Sequence, residues 1–115
     1  MKKLLLTLIF LLISFFAFSQ KSPCKDDICV VQFNAGWNST NDVEWINELN
    51  DCGIQYIDIA TNTEAQSKYE IVVVPTIIVF NGEEVKRFQA DISFAITATK
   101  QEVQEIVDEI VMDQF

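Results

Sequence analysis

The stretch from Val30 to Thr40, VVQFNAGWNST, constrains the fold more than any other part of the chain. An apolar run, Val30 to Phe33, stops at Asn34-Ala35-Gly36 and passes Trp37 into a polar cluster, Asn38-Ser39-Thr40-Asn41-Asp42. A helical pattern follows at once. A buried strand that feeds a helix through a short turn is the unit of an α/β domain, whose working surface lies outside the carboxyl ends of its strands. The cluster supplies backbone-capping side chains but no Cys, His, Lys or Arg. A site in the expected place thus lacks a reactive group.

The remaining elements follow from periodicity. Ile28 to Phe33 reads as a short buried strand, broken only by Gln32. From Asn38 to Asp51 the pattern predicts a helix. Asn41 and Glu44 resemble a capping box, Trp45, Leu49 and Cys52 fall at i, i+4, i+7 with Val43 and Ile46 beside them, and Gly53 suits the end. Ile54 to Ala60 alternates as a second strand. Asn62 caps a short helix that runs to about Tyr69. Thr76 to Phe80 is a β-branched strand, and Asn81-Gly82 predicts a two-residue hairpin that returns Val85 to Phe88 antiparallel to it. Asp91 to Ala98 has no clear period. Thr99 with Glu102 forms a capping box before Val103, Ile106, Val107, Ile110 and Val111, the spacing of an amphipathic helix. The predicted order is β-α-β-α-β-β-α.

The first residues read differently. Lys2 and Lys3 precede Leu4 to Phe18, an apolar run broken by Thr7 and Ser14, and Ala17-Phe18-Ser19 offers small residues at cleavage spacing. This is the outline of a secretory signal peptide over residues 1–19, shorter than the ~18–20 apolar residues of a spanning helix. The expectation is export to the periplasm or medium after cleavage. The alternative is a membrane anchor that is never cut. A polar arm, residues 20–27, would then precede one domain, residues 28–115. Loss of Lys2 and Lys3 takes the formal charge from −9 to −11. Such a surface repels nucleic-acid phosphates and anionic lipid, so neither is an expected partner.

The chain has no His. That excludes Ser-His-Asp and Cys-His catalysis and the usual near-neutral base, and it leaves Cys24, Cys29 and Cys52 a poor metal set. No metal and no cofactor is expected. Three cysteines in an exported chain imply one disulfide and one free thiol. The pairings Cys24–Cys29, Cys29–Cys52 and Cys24–Cys52 all stay open, and a structural bridge is preferred to a redox one. Asn38-Ser39-Thr40 is formally an N-glycosylation sequon, which a bacterial style of signal argues against.

Over nearly all of the chain beyond residue 19 the sequence resembles the thioredoxin family. Lys68-Tyr69-Glu70-Ile71-Val72-Val73-Val74-Pro75-Thr76, then Phe80-Asn81-Gly82-Glu83, is similar to the family's cis-proline segment and hairpin. Phe33, Ala35 and Trp37 match the strand and tryptophan before its active-site turn. The resemblance implies a thioredoxin-like α/β fold, a central mixed four-stranded sheet flanked by helices. It also implies a cis bond before Pro75. The family's Cys-X-X-Cys falls on Asn38-Ser39-Thr40-Asn41, its buried carboxylate on Gln32 and a nearby lysine on Tyr56. An amide forms no thiolate, so Asn38 and Asn41 can neither attack a disulfide nor resolve one.

What the resemblance leaves is a recognition surface, with Trp37, Asn38, Val74, Pro75 and Thr76 walling a groove for an extended peptide of a protein partner. The expected function is peptide binding without dithiol catalysis. One alternative is a thiol-disulfide oxidoreductase that uses Cys24, Cys29 or Cys52, and another is a purely structural subunit.

Overall fold

The computed structural model describes residues 21–114, and the expected signal peptide lies outside them. Four strands make one sheet: β1 (Ile28–Asn34), β2 (Gly53–Asp58), β3 (Thr76–Asn81) and β4 (Glu83–Gln89), in the order β2-β1-β3-β4. β1 runs parallel to β2 and antiparallel to β3, and β3 runs antiparallel to β4. The helices are α1 (Thr63–Lys68) and α2 (Lys100–Asp113). The mixed sheet between flanking helices is the expected architecture.

Alternation along the central strands divides the core into two layers. Cys29, Val31 and Phe33 of β1 and Ile78 and Phe80 of β3 face one side, where they pack with Ala65, Tyr69, Ile71 and Val74. Val30, Ile77 and Val79 face the other, against Ile46, Leu49 and the Val103, Val107 and Ile110 stripe of α2. Both faces of β1 are covered, which is why its sequence is a continuous apolar run and not an alternation.

Helix termini follow the capping signals. The Asn62 side chain accepts from the Ala65 N–H at the start of α1. Thr99 and Glu102 close a full capping box at α2. The hairpin differs by one residue from the simple two-residue turn. Asn81 pairs with Glu83 around Gly82, whose φ of +78° suits glycine, and the register then shifts between Val79 and Phe80.

The first predicted helix is not an α-helix. Residues Gly36–Asn41 and Glu44–Glu48 form two 3-10 segments with extended backbone between them. The buried apolar residues here are Val43, Ile46 and Leu49, a spacing of three that matches the 3.0-residue turn of a 3-10 helix. Trp45 and Cys52 are only half-buried. The cause lies in β1: the Oε1 of buried Gln32 accepts from the Val43 N–H at 2.6 Å, so that donor is lost to an intrahelical bond. Asn41 makes no capping box with Glu44; its side chain donates to Asn38 Oδ1 instead. Short amides and hydroxyls over four residues favour such local bonds over helix.

From Lys21 onward the arm docks on the hairpin and on Tyr69. Lys21 bridges to Glu83, Ser22 N–H donates to the Gly82 carbonyl, and the Tyr69 hydroxyl donates to the Lys21 carbonyl.

Candidate functional site

The carboxyl end of β1 carries a knot of amides in place of a dithiol. Asn34 and Asn38, both buried, exchange bonds: Asn38 Nδ2 donates to Asn34 Oδ1 at 3.1 Å, and Asn34 Nδ2 donates to the Asn38 carbonyl at 3.1 Å. Asn34 and Gln32 also donate to one Asp42 carboxylate oxygen, at 2.6 and 3.0 Å. Asn41 Nδ2 closes the chain onto Asn38 Oδ1 at 2.8 Å. Among the described residues no buried side-chain polar atom lacks a partner. A network satisfied in this way is rigid and neutral apart from Asp42, and none of its groups is a nucleophile or a near-neutral base. The sequon cannot serve as a glycan acceptor in the folded chain, because Asn38 is buried with its amide fully engaged.

Asn38 also reaches out of the knot. Its Nδ2 lies 3.2 Å from the Phe94 carbonyl and 3.4 Å from the Val74 carbonyl. One side chain thus ties the end of β1 to the segment before Pro75 and to the β4–α2 loop. The Val74–Pro75 bond is cis. Thr76 turns back, its hydroxyl donating to the Val73 carbonyl at 2.7 Å. Arg87 of β4 donates to the Tyr69 and Glu70 carbonyls at 2.7 and 3.0 Å and is paired with Glu84. It therefore caps the end of α1 and sets where the Ile71–Pro75 segment starts.

These tethers frame a groove of about 250 Å³ lined chiefly by Trp37, Ile59, Val72, Val73, Val74 and Phe94. Trp37 is 69% exposed and Val72 78% exposed, and Phe94 stands edge-on to the Trp37 ring at 5.7 Å. Among the described residues the N–H groups of Val72, Val73 and Val74 make no hydrogen bond. The groove thus pairs unbonded N–H groups, on a segment whose Val73 and Val74 carbonyls are already engaged, with two aromatic walls. Of the residues expected to line it, Trp37 and Val74 do so. Pro75, Thr76 and Asn38 are buried behind it and shape it without presenting surface.

The sequence reading missed Phe94. It lies in the stretch without period, held in left-handed backbone (φ 61°) by a local turn: Asp91 accepts from both the N–H and the hydroxyl of Ser93, and Phe94 N–H donates to the Asp91 carbonyl. The Ser93 bonds hold the Asp91 carboxyl below its ordinary value. The signal for this turn is the Asp-X-Ser spacing, which favours an Asx turn. A second hollow, about 230 Å³, lies behind the Trp37 turn between Asp42, Tyr56 and Asp58. Burial, then the Asp42 charge, pushes the Tyr56 phenol up, so it stands there as a neutral hydroxyl.

The other end of β1 holds the sulfur. Cys24 and Cys29 form a disulfide with Cα atoms 6.3 Å apart, and Cys52 is free. Strand alternation decides the pairing: Cys29 points into the layer of Val31 and Phe33, whereas Cys52 packs on the opposite layer. Cys29 is fully buried. The Cys24 sulfur is screened by Gln55, whose Oε1 sits 3.1 Å away as a contact, since a bridged sulfur carries no hydrogen. Burial, with Asp51 and Asp26 behind it, raises the Cys52 thiol. Among the described residues no cluster of His, Cys, Asp and Glu is placed to hold a metal ion, and no helix is long and apolar enough to cross a membrane.

No protein-family model matches the chain, and no curated protein sequence does. Solved structures do. A point-mutant thioredoxin from Halobacterium salinarum shares 22% identity at a TM-score of 0.58, over 73% of this chain and 74% of that one. The Schistosoma mansoni thioredoxin pre-protein shares 25% identity at 0.57, over 74% and 80%. The Plasmodium falciparum thioredoxin shares 17% at 0.57, over 74% and 83%.

Proposed function

This chain has the thioredoxin-like fold, and we propose that it is an exported peptide-binding protein that carries no dithiol chemistry at the Trp37 turn. The observation that carries this reading is the groove itself. Free N–H groups at Val72–Val74 beside Trp37 and Phe94 match what strand addition needs: main-chain donors for affinity and an apolar wall for alternate side chains. At the place where thioredoxins keep Cys-X-X-Cys, Asn38 and Asn41 spend their amides on structure. Export is supported by the Lys2-Lys3 and Leu4–Phe18 pattern, and by a disulfide, which persists in oxidising compartments.

The Cys24–Cys29 bridge favours a second reading, a thiol-disulfide oxidoreductase that uses the entry end of β1. Its chemistry is poorly served. Attack at Cys24 would expel a Cys29 thiolate into an apolar layer, and a desolvated thiolate is a poor leaving group. A staple for the arm is the simpler role.

One experiment separates the two. Binding of a labelled extended peptide is followed by anisotropy alongside insulin reduction, for the natural chain, Trp37→Ala, and the double variant Cys24→Ser/Cys29→Ser. The proposal expects Trp37→Ala to weaken the peptide by tenfold or more, about 1.4 kcal/mol or above, as loss of an aromatic anchor does. The cysteine variant should bind unchanged, and no form should reduce insulin. Cysteine-dependent insulin reduction with indifferent peptide binding would establish the oxidoreductase instead.

A further inference from the structure

We infer that the groove selects extended segments whose apolar core is flanked by lysine or arginine, an inference that rests on the peptide-binding reading. The lining is uncharged: aromatic, aliphatic and small residues with Gln66 as its one polar side chain. Charge begins at its rim, where acids predominate. Asp58 precedes the lining residues Ile59 and Ala60, Glu70 precedes Ile71, and Asp91 anchors the turn that presents Phe94; all three are exposed.

Of the nearby cations Arg87 is paired with an acid, and Lys68, two residues past Gln66, falls on the side of α1 away from it. Arg87 is bound to Glu84 and to two carbonyls, and the Lys68 ammonium stands 5.3 Å above the Tyr69 ring. The rim sits within a chain of 17 acidic and eight basic residues. An apolar slot bounded by acids attracts a segment that is apolar at its centre and basic at its ends, and it penalises an acidic one by like-charge contact. Strand addition also sets the guest's pattern. Only alternate side chains face the wall, so the core should alternate apolar with small polar residues.

Three synthetic peptides test this, each with one alternating valine-threonine core and flanked on both sides by lysines, serines or glutamates. Affinities are measured by anisotropy at roughly 0.01 M and 0.15 M salt, between which the screening length falls from about 30 Å to about 8 Å. The expected order is lysine over serine over glutamate, with at least a tenfold span at low salt that narrows at high salt. Asp58→Asn with Glu70→Gln should compress that span by about threefold and leave the serine peptide unchanged. Equal affinity of all three peptides would overturn the charge selection and leave the groove reading standing. Lysine-peptide binding that survives Trp37→Ala would assign it to the acidic surface at large and overturn the inference. Failure of every peptide to bind would overturn both. Circular dichroism of each variant establishes that it is folded.

Discussion

The two ends of β1 face opposite problems. At the entry end, Cys29 holds the only disulfide among the described residues, yet it is fully buried, and the hollow at that end is lined by Cys52 and three aspartates instead of the bridge. At the exit end, Asn34 leads into an open aromatic groove, yet the polar side chains there are amides, carboxylates and hydroxyls, with no thiol among them. A buried half of a bridge and an open groove without sulfur lie at opposite ends of one seven-residue strand. Redox activity needs both together, a thiolate of lowered pKa within reach of a substrate. Binding needs only access. The contrast says that a fold can keep its recognition geometry when other groups hold the turn, here Asn38, which links three segments with one side chain.

That contrast can be broken at its strongest point. Asn38→Ala would leave Asn34 Oδ1, Asn41 Nδ2 and the Phe94 carbonyl short of a partner, at a cost of about 3 kcal/mol. Urea denaturation should show it, and near-ultraviolet dichroism should report loosening of the Trp37–Phe94 pair. The entry end should matter less. Cys24→Ala with Cys29→Ala opens a short loop, worth about 2 kcal/mol, and should leave peptide affinity unchanged. A fall in affinity equal to that of Trp37→Ala would couple the two ends and void the comparison.

Smaller effects sharpen it. Cys52 should alkylate slowly at neutral pH, because burial and two acids raise its thiol, and intact mass of the unreduced chain should show one label. Three labels in place of one would mean an open bridge. The smallest effect concerns Asp91. Its carboxyl is held below the ordinary value, so the turn's contribution is fully present above that ordinary value and is lost only as pH falls through the lowered one. The part of the Trp37 fluorescence change that depends on Asp91 should therefore come only in stronger acid than the usual carboxylate range, and Ser93→Ala should move it to higher pH.

Much of the fold was legible. Strands β1 to β4, helix α2 with its box, and the Asn62 cap all follow from periods and caps that act over a few residues. The first helix was not, because a single buried side chain 11 residues upstream, Gln32, takes the Val43 N–H. Its real signal, Val43, Ile46 and Leu49 at a spacing of three, was present but read under a 3.6-residue template. Phe94 escaped because its importance lies in the Trp37 ring and the Asn38 amide, the latter 56 residues away in sequence.

By itself the sequence determined the order of elements, the covered faces of β1, the hairpin at Gly82 and the absence of thiols at the Trp37 turn. These depend on local pattern and on residue identity alone. Tertiary structure decided which cysteines pair, which path the chain takes after Trp37, and which residues wall the groove. Each of those outcomes depends on which face of the sheet a side chain meets and on competition for one N–H or carbonyl among groups distant in sequence. Hydrogen-bond partners of that kind are set only when the layers close.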